Sequence, residues 1–229
     1  MKQRKTSIWL VGSTLCLLGL FLSEPVYGAS KAYVGLEAGQ EVTEPVNPVD
    51  PDQPEVPVDP ADPENQGTGE TGPLSLDFVS NIAFGRQAIG AQTTSYAAQN
   101  QFPYVQVTDT TGTASGWQLT AAITEFRETS GESILVGAEL SLNEAQVKSS
   151  ATNVSLAPEA KNQIVFTNQE SQVIAQAKPG SGGGTWVVTW PGEATDNQQV
   201  RLKVLGNTAK PVAYAATIYW NLVSGPESR

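Results

Sequence analysis

Trp117-Gln118-Leu119-Thr120-Ala121-Ala122-Ile123 is the stretch on which the fold turns. Its apolar members Trp117, Leu119, Ala121 and Ile123 alternate with Gln118, Thr120, Ala122 and Thr124. Successive side chains of a strand point to opposite faces, so this run has one face for a core and one for a more polar surface. The same period of two spreads outward from it. Towards the N-terminus Leu74, Leu76 and Phe78 alternate with Ser75 and Asp77. Towards the C-terminus come Ile134, Val136, Ala138, Leu140 and Leu142, then Trp186, Val188 and Trp190, then Val200, Leu202 and Val204. The last run has Tyr214, Ala216, Ile218, Trp220 and Leu222 on one face. No stretch of similar length carries a 3.6-residue stripe, and Asn143 to Ser150 is at most a short turn of helix. Turn chemistry separates the runs at Asp109-Thr110-Thr111-Gly112, Ser130-Gly131, Pro179 to Gly184, Pro191-Gly192 and Gly206-Asn207. The expectation is an all-β fold, an antiparallel β-sandwich of short strands over residues 74–229, preferred to a barrel.

Composition excludes several chemistries. The 229 residues carry 13 Lys+Arg against 23 Asp+Glu, a net charge of −10, which argues against nucleic-acid binding. There is no His and one Cys, so a His-based triad and His-containing zinc sites are excluded. Residues 1–28 have the pattern of a secretory signal, with a basic head at Lys2, Arg4 and Lys5, the apolar run Ile8 to Leu22, and small residues at Val26 and Gly28. The run is shorter than the roughly 20 residues that span a bilayer, and Leu15 before Cys16 argues against lipidation. Cleavage would remove the only thiol and leave no transmembrane segment in the mature chain.

Residues 29–73 form an acidic, proline-rich spacer. Between 37 and 73 lie ten acidic residues, eight prolines and no Lys or Arg, and Pro45, Pro48, Pro51, Pro54, Pro57, Pro60 and Pro63 recur every third residue. Polyproline II has three residues per turn, so the spacer is expected as a disordered or extended rod. At roughly 3.1 Å per residue it would reach about 60 Å. The charge of the folded part, nine basic against twelve acidic residues, is far closer to balance.

Two Trp-x-Leu steps occur in the folded part, the second of them near the C-terminus. Trp117-Gln118-Leu119 follows Gly116, and Tyr214-Ala-Ala-Thr-Ile218-Tyr219-Trp220-Asn221-Leu222 is followed by Pro226. This arrangement resembles the WxL domain family of Gram-positive cell-surface proteins, which pairs a distal Trp-x-Leu with a proximal Tyr-x-x-x-apolar-Thr-Trp-x-Leu-x-x-x-Pro. The opening from Leu74 to Phe84-Gly85 and the Thr185-Trp186 step are similar to it as well. Tyr219 stands where the family has Thr. The resemblance implies a signal peptide, secretion to the cell surface, and non-covalent attachment to the wall through this C-terminal domain, with peptidoglycan as ligand. It also implies membrane-anchored WxL-interacting proteins and other WxL proteins as partners, and host-matrix binding in some members. With no Leu-Pro-x-Thr-Gly sorting signal and no C-terminal apolar anchor in the sequence, a non-covalent hold is the expectation.

The candidate wall-binding residues are Trp117, Leu119, Trp220, Leu222, Tyr214, Trp186 and Trp190. An indole face can stack on a sugar ring while its N–H donates. The alternative is that each Trp-x-Leu pair fills the core, since the pair lies on the alternating apolar face. The glycine-rich loop Ser181 to Gly184 lacks the Lys-Ser/Thr and helix of a phosphate cradle and is expected as a flexible hairpin. Asp77, Glu125, Glu128, Glu132 and Glu139 are the carboxylates from which a glycosidase pair would have to come, but they are scattered. No nucleophile, cofactor site or metal cluster stands out, and no enzyme is expected. The runner-up function is a protein–protein module that docks to a membrane-anchored partner in a surface complex.

Overall fold

A computed structural model describes residues 31–225; the expected signal segment and Pro226 lie outside them. Every described strand lies in the unit Glu37–Arg229. In chain order the strands are β1 (Leu74–Val79), β2 (Thr94–Ala98), β3 (Tyr104–Asp109), β4 (Trp117–Ile123), β5 (Arg127–Glu128), β6 (Glu139–Asn143), β7 (Gln146–Lys148), β8 (Glu159–Ala160), β9 (Gln163–Phe166), β10 (Gln172–Ala177), β11 (Gly184–Thr189), β12 (Asn197–Val204), β13 (Tyr214–Ala215) and β14 (Ile218–Ser224). Among the described residues there is no helix, and so none that is long and apolar enough to cross a membrane.

The strands form three four-stranded sheets, β1-β3-β11-β7, β14-β4-β10-β8 and β2-β12-β6-β9, with a two-stranded ribbon β13-β5. All their pairings are antiparallel. One core joins the three sheets. Val105, Val107, Trp186 and Val188 come from the first, Trp117, Leu119, Ala121, Ile123 and Ile174 from the second, and Leu140, Leu142, Ile164, Phe166 and Val200 from the third. The inward sets are the alternate residues of β4, β6 and β11, as the period of two requires.

Four local readings need correction. Leu76 and Phe78, expected on one face, lie on opposite ones. A bulge shifts the β1–β3 register between them, so Leu76 joins the main core and Phe78 stacks on Tyr104 on the outer face. The run from Ile134 to Leu142 is no single strand. Gly137 turns the chain at φ +70°, Val136 is exposed, Leu135 is buried instead, and the strand begins only at Glu139. Residues 143–150 hold the short strand β7 in place of a helical turn. The last run is cut at Ala216-Thr217 into β13 and β14.

The spacer differs most from expectation. Residues 44–70 run against the outer face and edge of the first sheet as a strap. Gln106 accepts a hydrogen bond from the Val46 amide at 2.8 Å and donates to the Glu44 carbonyl at 3.1 Å. Val46 packs on the Phe78–Tyr104 stack, whose rings are 4.2 Å apart and nearly parallel. Further along, Thr68 donates its amide to the Asp77 carbonyl, and Asn65 donates to that of Val79. The acidic side chains fasten the strap to the domain. Asp52 accepts from the Ser150 hydroxyl and the Ala151 amide, and Asp62 accepts from the Asn81 amide and side chain. Proline takes away donors but leaves every carbonyl free to accept, and the Glu44 and Val49 carbonyls accept from the Gln106 and Lys148 side chains.

Candidate functional site

The two Trp-x-Leu steps lie side by side. β14 is antiparallel to β4 in unbroken register, with Leu222 opposite Leu119, Trp220 opposite Ala121 and Ser224 opposite Trp117. All four motif side chains therefore turn to the same, core-facing side of the sheet. Their burial is unequal. Trp117 and Leu119 are wholly buried at 0 % exposure, because β4 is an inner strand with β10 on its other side. Trp220 and Leu222 are half-buried, because β14 is the edge strand of that sheet.

The glycine-rich loop serves the indoles. Trp117 donates its Nε1–H to the Gly182 carbonyl at 3.0 Å, and Trp186 donates to the Gly183 carbonyl at 2.9 Å. Gly182 has φ +77°, and a Cβ there would sit 2.6 Å from the Trp117 nitrogen. The loop read as a flexible hairpin is thus a cap on two buried indoles, where a desolvated N–H needs an acceptor. Nothing in the local sequence links residues 182 and 117; the contact forms across 65 positions. Trp186 and Trp190 are buried in the same core, and the Trp190 nitrogen has no partner among the described residues. Burial leaves Trp117, Leu119, Trp186 and Trp190 no surface to offer a ligand. Tyr214 is half-buried, and its hydroxyl accepts the Lys210 amide at 3.0 Å.

Trp220 and Tyr214 lie instead on the wall of a groove. It encloses about 1170 Å³ and is bounded by the segment 79–92 on one side and 209–220 on the other, with Ile123, Leu140 and Leu202 at its floor. The first wall is held by Asn100, which is wholly buried, accepts from the Ala83 amide at 2.8 Å and donates to the Asn81 carbonyl at 3.0 Å. The composition of the lining is unlike that of the chain. It includes Arg86 and Lys210 and no Asp or Glu, although the protein is strongly acidic. Neither cation has a carboxylate partner among the described residues, and the Lys210 ammonium reaches only the Ser133 hydroxyl, at 2.9 Å. Sequence reasoning missed the groove, because its two walls lie more than a hundred positions apart in the chain and only the fold brings them together.

The carboxylates follow separate paths. Glu125 pairs with Arg127 and Glu139 with Lys203 at the surface. Asp77 is buried beneath the strap, where burial raises its pKa above the ordinary value. Hydrogen bonds from Ser75, Thr108 and Gln106 pull the other way without offsetting that cost. Among the described residues no group of three or more His, Cys, Asp or Glu could hold a metal ion.

No curated protein and no solved structure matches the chain. A family model does, described as "WxL domain surface cell wall-binding", and it covers residues 24–226, nearly the whole length and including the strap. The match takes in both Trp-x-Leu strands, the groove beside them and the glycine cap, and on it the chain belongs to the WxL family of surface cell wall-binding domains.

Proposed function

We propose that this protein is secreted and held on the cell wall, without a covalent bond, by its C-terminal domain, with peptidoglycan as the ligand. The observation that carries the reading is the family match over 24–226. The fold is consistent with a binding module: a rigid all-β body whose aromatics are spent mostly on the core. The wall contact then belongs to the outer surface of the domain, since the buried indoles of Trp117, Trp186 and Trp190 cannot stack on sugar without unfolding it.

The test is co-sedimentation of the protein, without residues 1–28, with purified peptidoglycan. The expected result is most of the protein in the pellet, released by denaturant. Protein that stays in the supernatant overturns the reading. Pelleting that requires an added membrane-anchored partner favours the docking alternative. Release of soluble muropeptides during incubation would point to a hydrolase.

A further inference from the structure

Among the described residues most sheet edges are short, irregular or covered. β7 and β8 are three and two residues long, β9 is four, and the β2–β12 pairing is interrupted by a register shift. The edge of β1 is bulged and covered by the strap, through Asn65 and Thr68. Short, bulged or covered edges are the usual means by which sheets avoid pairing with other chains. β14 has none of these devices. It is seven residues long, Ile218-Tyr219-Trp220-Asn221-Leu222-Val223-Ser224, with no charge, no proline and no register shift.

Its hydrogen-bonding phase can be read from the bonds at its two ends. Thr124 donates its amide to the Thr217 carbonyl at 2.9 Å, and the Gly225 amide donates to the Gly116 carbonyl at 2.7 Å. In an antiparallel ladder the backbone groups of alternate residues face the same neighbour. Those of residues 217, 219, 221, 223 and 225 therefore face β4. Those of Ile218, Trp220, Leu222 and Ser224 face away, and no described strand other than β4 pairs with β14. Ile218 and Trp220 also line the groove, so the free edge and the groove are continuous.

We infer that β14 and the adjoining groove form an acceptor site for one extended, acidic segment of another polypeptide, added as a strand beside β14. The open backbone of the edge would supply main-chain hydrogen bonds. Alternate side chains of the added strand would point into the apolar groove, which leaves the others at its rim. Arg86 and Lys210, exposed and without carboxylate partners among the described residues, select acidic side chains there. A glycan fits this surface less well, since it has no backbone amides to pair with a strand edge. The inference goes beyond wall attachment, and either can fail without the other.

The probe is a fluorescein-labelled peptide as long as β14, seven residues, alternating valine with glutamate, read by anisotropy and by residue-resolved amide exchange on the whole secreted chain. Saturable binding is expected. Exchange should slow at Ile218, Trp220, Leu222 and Ser224, while Tyr219, Asn221 and Val223 are already slow in the free protein. The double substitution Arg86→Glu and Lys210→Glu should weaken binding tenfold or more. Ser224→Pro, which removes an outward donor and leaves the β4 bonds intact, should weaken it as well. Both variants should keep the parent melting temperature and still pellet with peptidoglycan. The inference is overturned by any of four results: no binding at millimolar peptide, equal binding of a valine–lysine peptide, unchanged exchange at the four outward amides, or self-association that occupies the edge with a second copy.

Discussion

Trp117-Gln-Leu119 and Trp220-Asn-Leu222 are the same three-residue step, on neighbouring strands and facing the same way, yet they do different work. The first sits on an inner strand, is completely buried, and has its indole N–H capped by a carbonyl from the glycine loop. The second sits on an edge, half-buried, and its outer backbone is unpaired among the described strands. A motif written as side chains thus takes its role from the position of its strand in the sheet. The distal step is part of the interior, and the proximal one stands where interior meets surface.

Substitutions can break this contrast or sharpen it. Trp117→Ala should have the largest effect, a loss of about 3–5 kcal/mol from the cavity it leaves, read as a steep fall in melting temperature. Stability close to that of the parent would mean that the distal step is not the keystone of the core. Gly182→Ala comes next. It combines a left-handed backbone with a Cβ pressed on the Trp117 nitrogen, and about 1–3 kcal/mol should be lost in denaturant unfolding. Trp220→Ala should cost less, about 1–2 kcal/mol, because part of the indole is already in water. If it matches Trp117→Ala, the two steps are energetically alike and the contrast fails.

The smallest effect is one of pH, and it belongs to the strap side of the first sheet. The folded pKa of Asp77 lies above its unfolded value near 3.8, so the folded state holds that proton more tightly. The stabilisation from this shift is fully present below about pH 3.8 and is lost as pH rises through the folded pKa. The melting temperature of the parent relative to Asp77→Asn should therefore improve as pH is lowered towards 3.8. A constant difference across that range would show that Asp77 does not titrate in this way. Neither Trp step contains a titrating group, so Trp117→Ala should be equally damaging at both ends of the range.

Much of the fold was legible because the period of two is local. Residues 117–123, 186–189 and 200–204 each lie in the strand their alternation indicated, and Trp190 stands just past the end of β11. The readings failed where a single residue altered the phase. One bulge sent Phe78 to the face opposite Leu76, and Gly137 ended the register that had joined Val136 to Leu140. Tyr219 shows the alternation at its most dependable: its side chain points away from the Trp220 face and is 63 % exposed. The strap was misread for a different reason. Proline periodicity says what a segment cannot do by itself, and it contains nothing about a sheet face that holds Gln106 ready for its backbone.

The sequence by itself determined an all-β chain with two Trp-x-Leu strands and the membership of its family, because side-chain alternation and motif spacing are properties of neighbouring residues. Tertiary structure alone decided which of the two steps is interior, what caps the Trp117 nitrogen, and that Arg86 and Lys210 line one groove. Each of those depends on which strand lies beside which. That pairing is set by burial and hydrogen bonding between residues tens of positions apart, which no local pattern encodes.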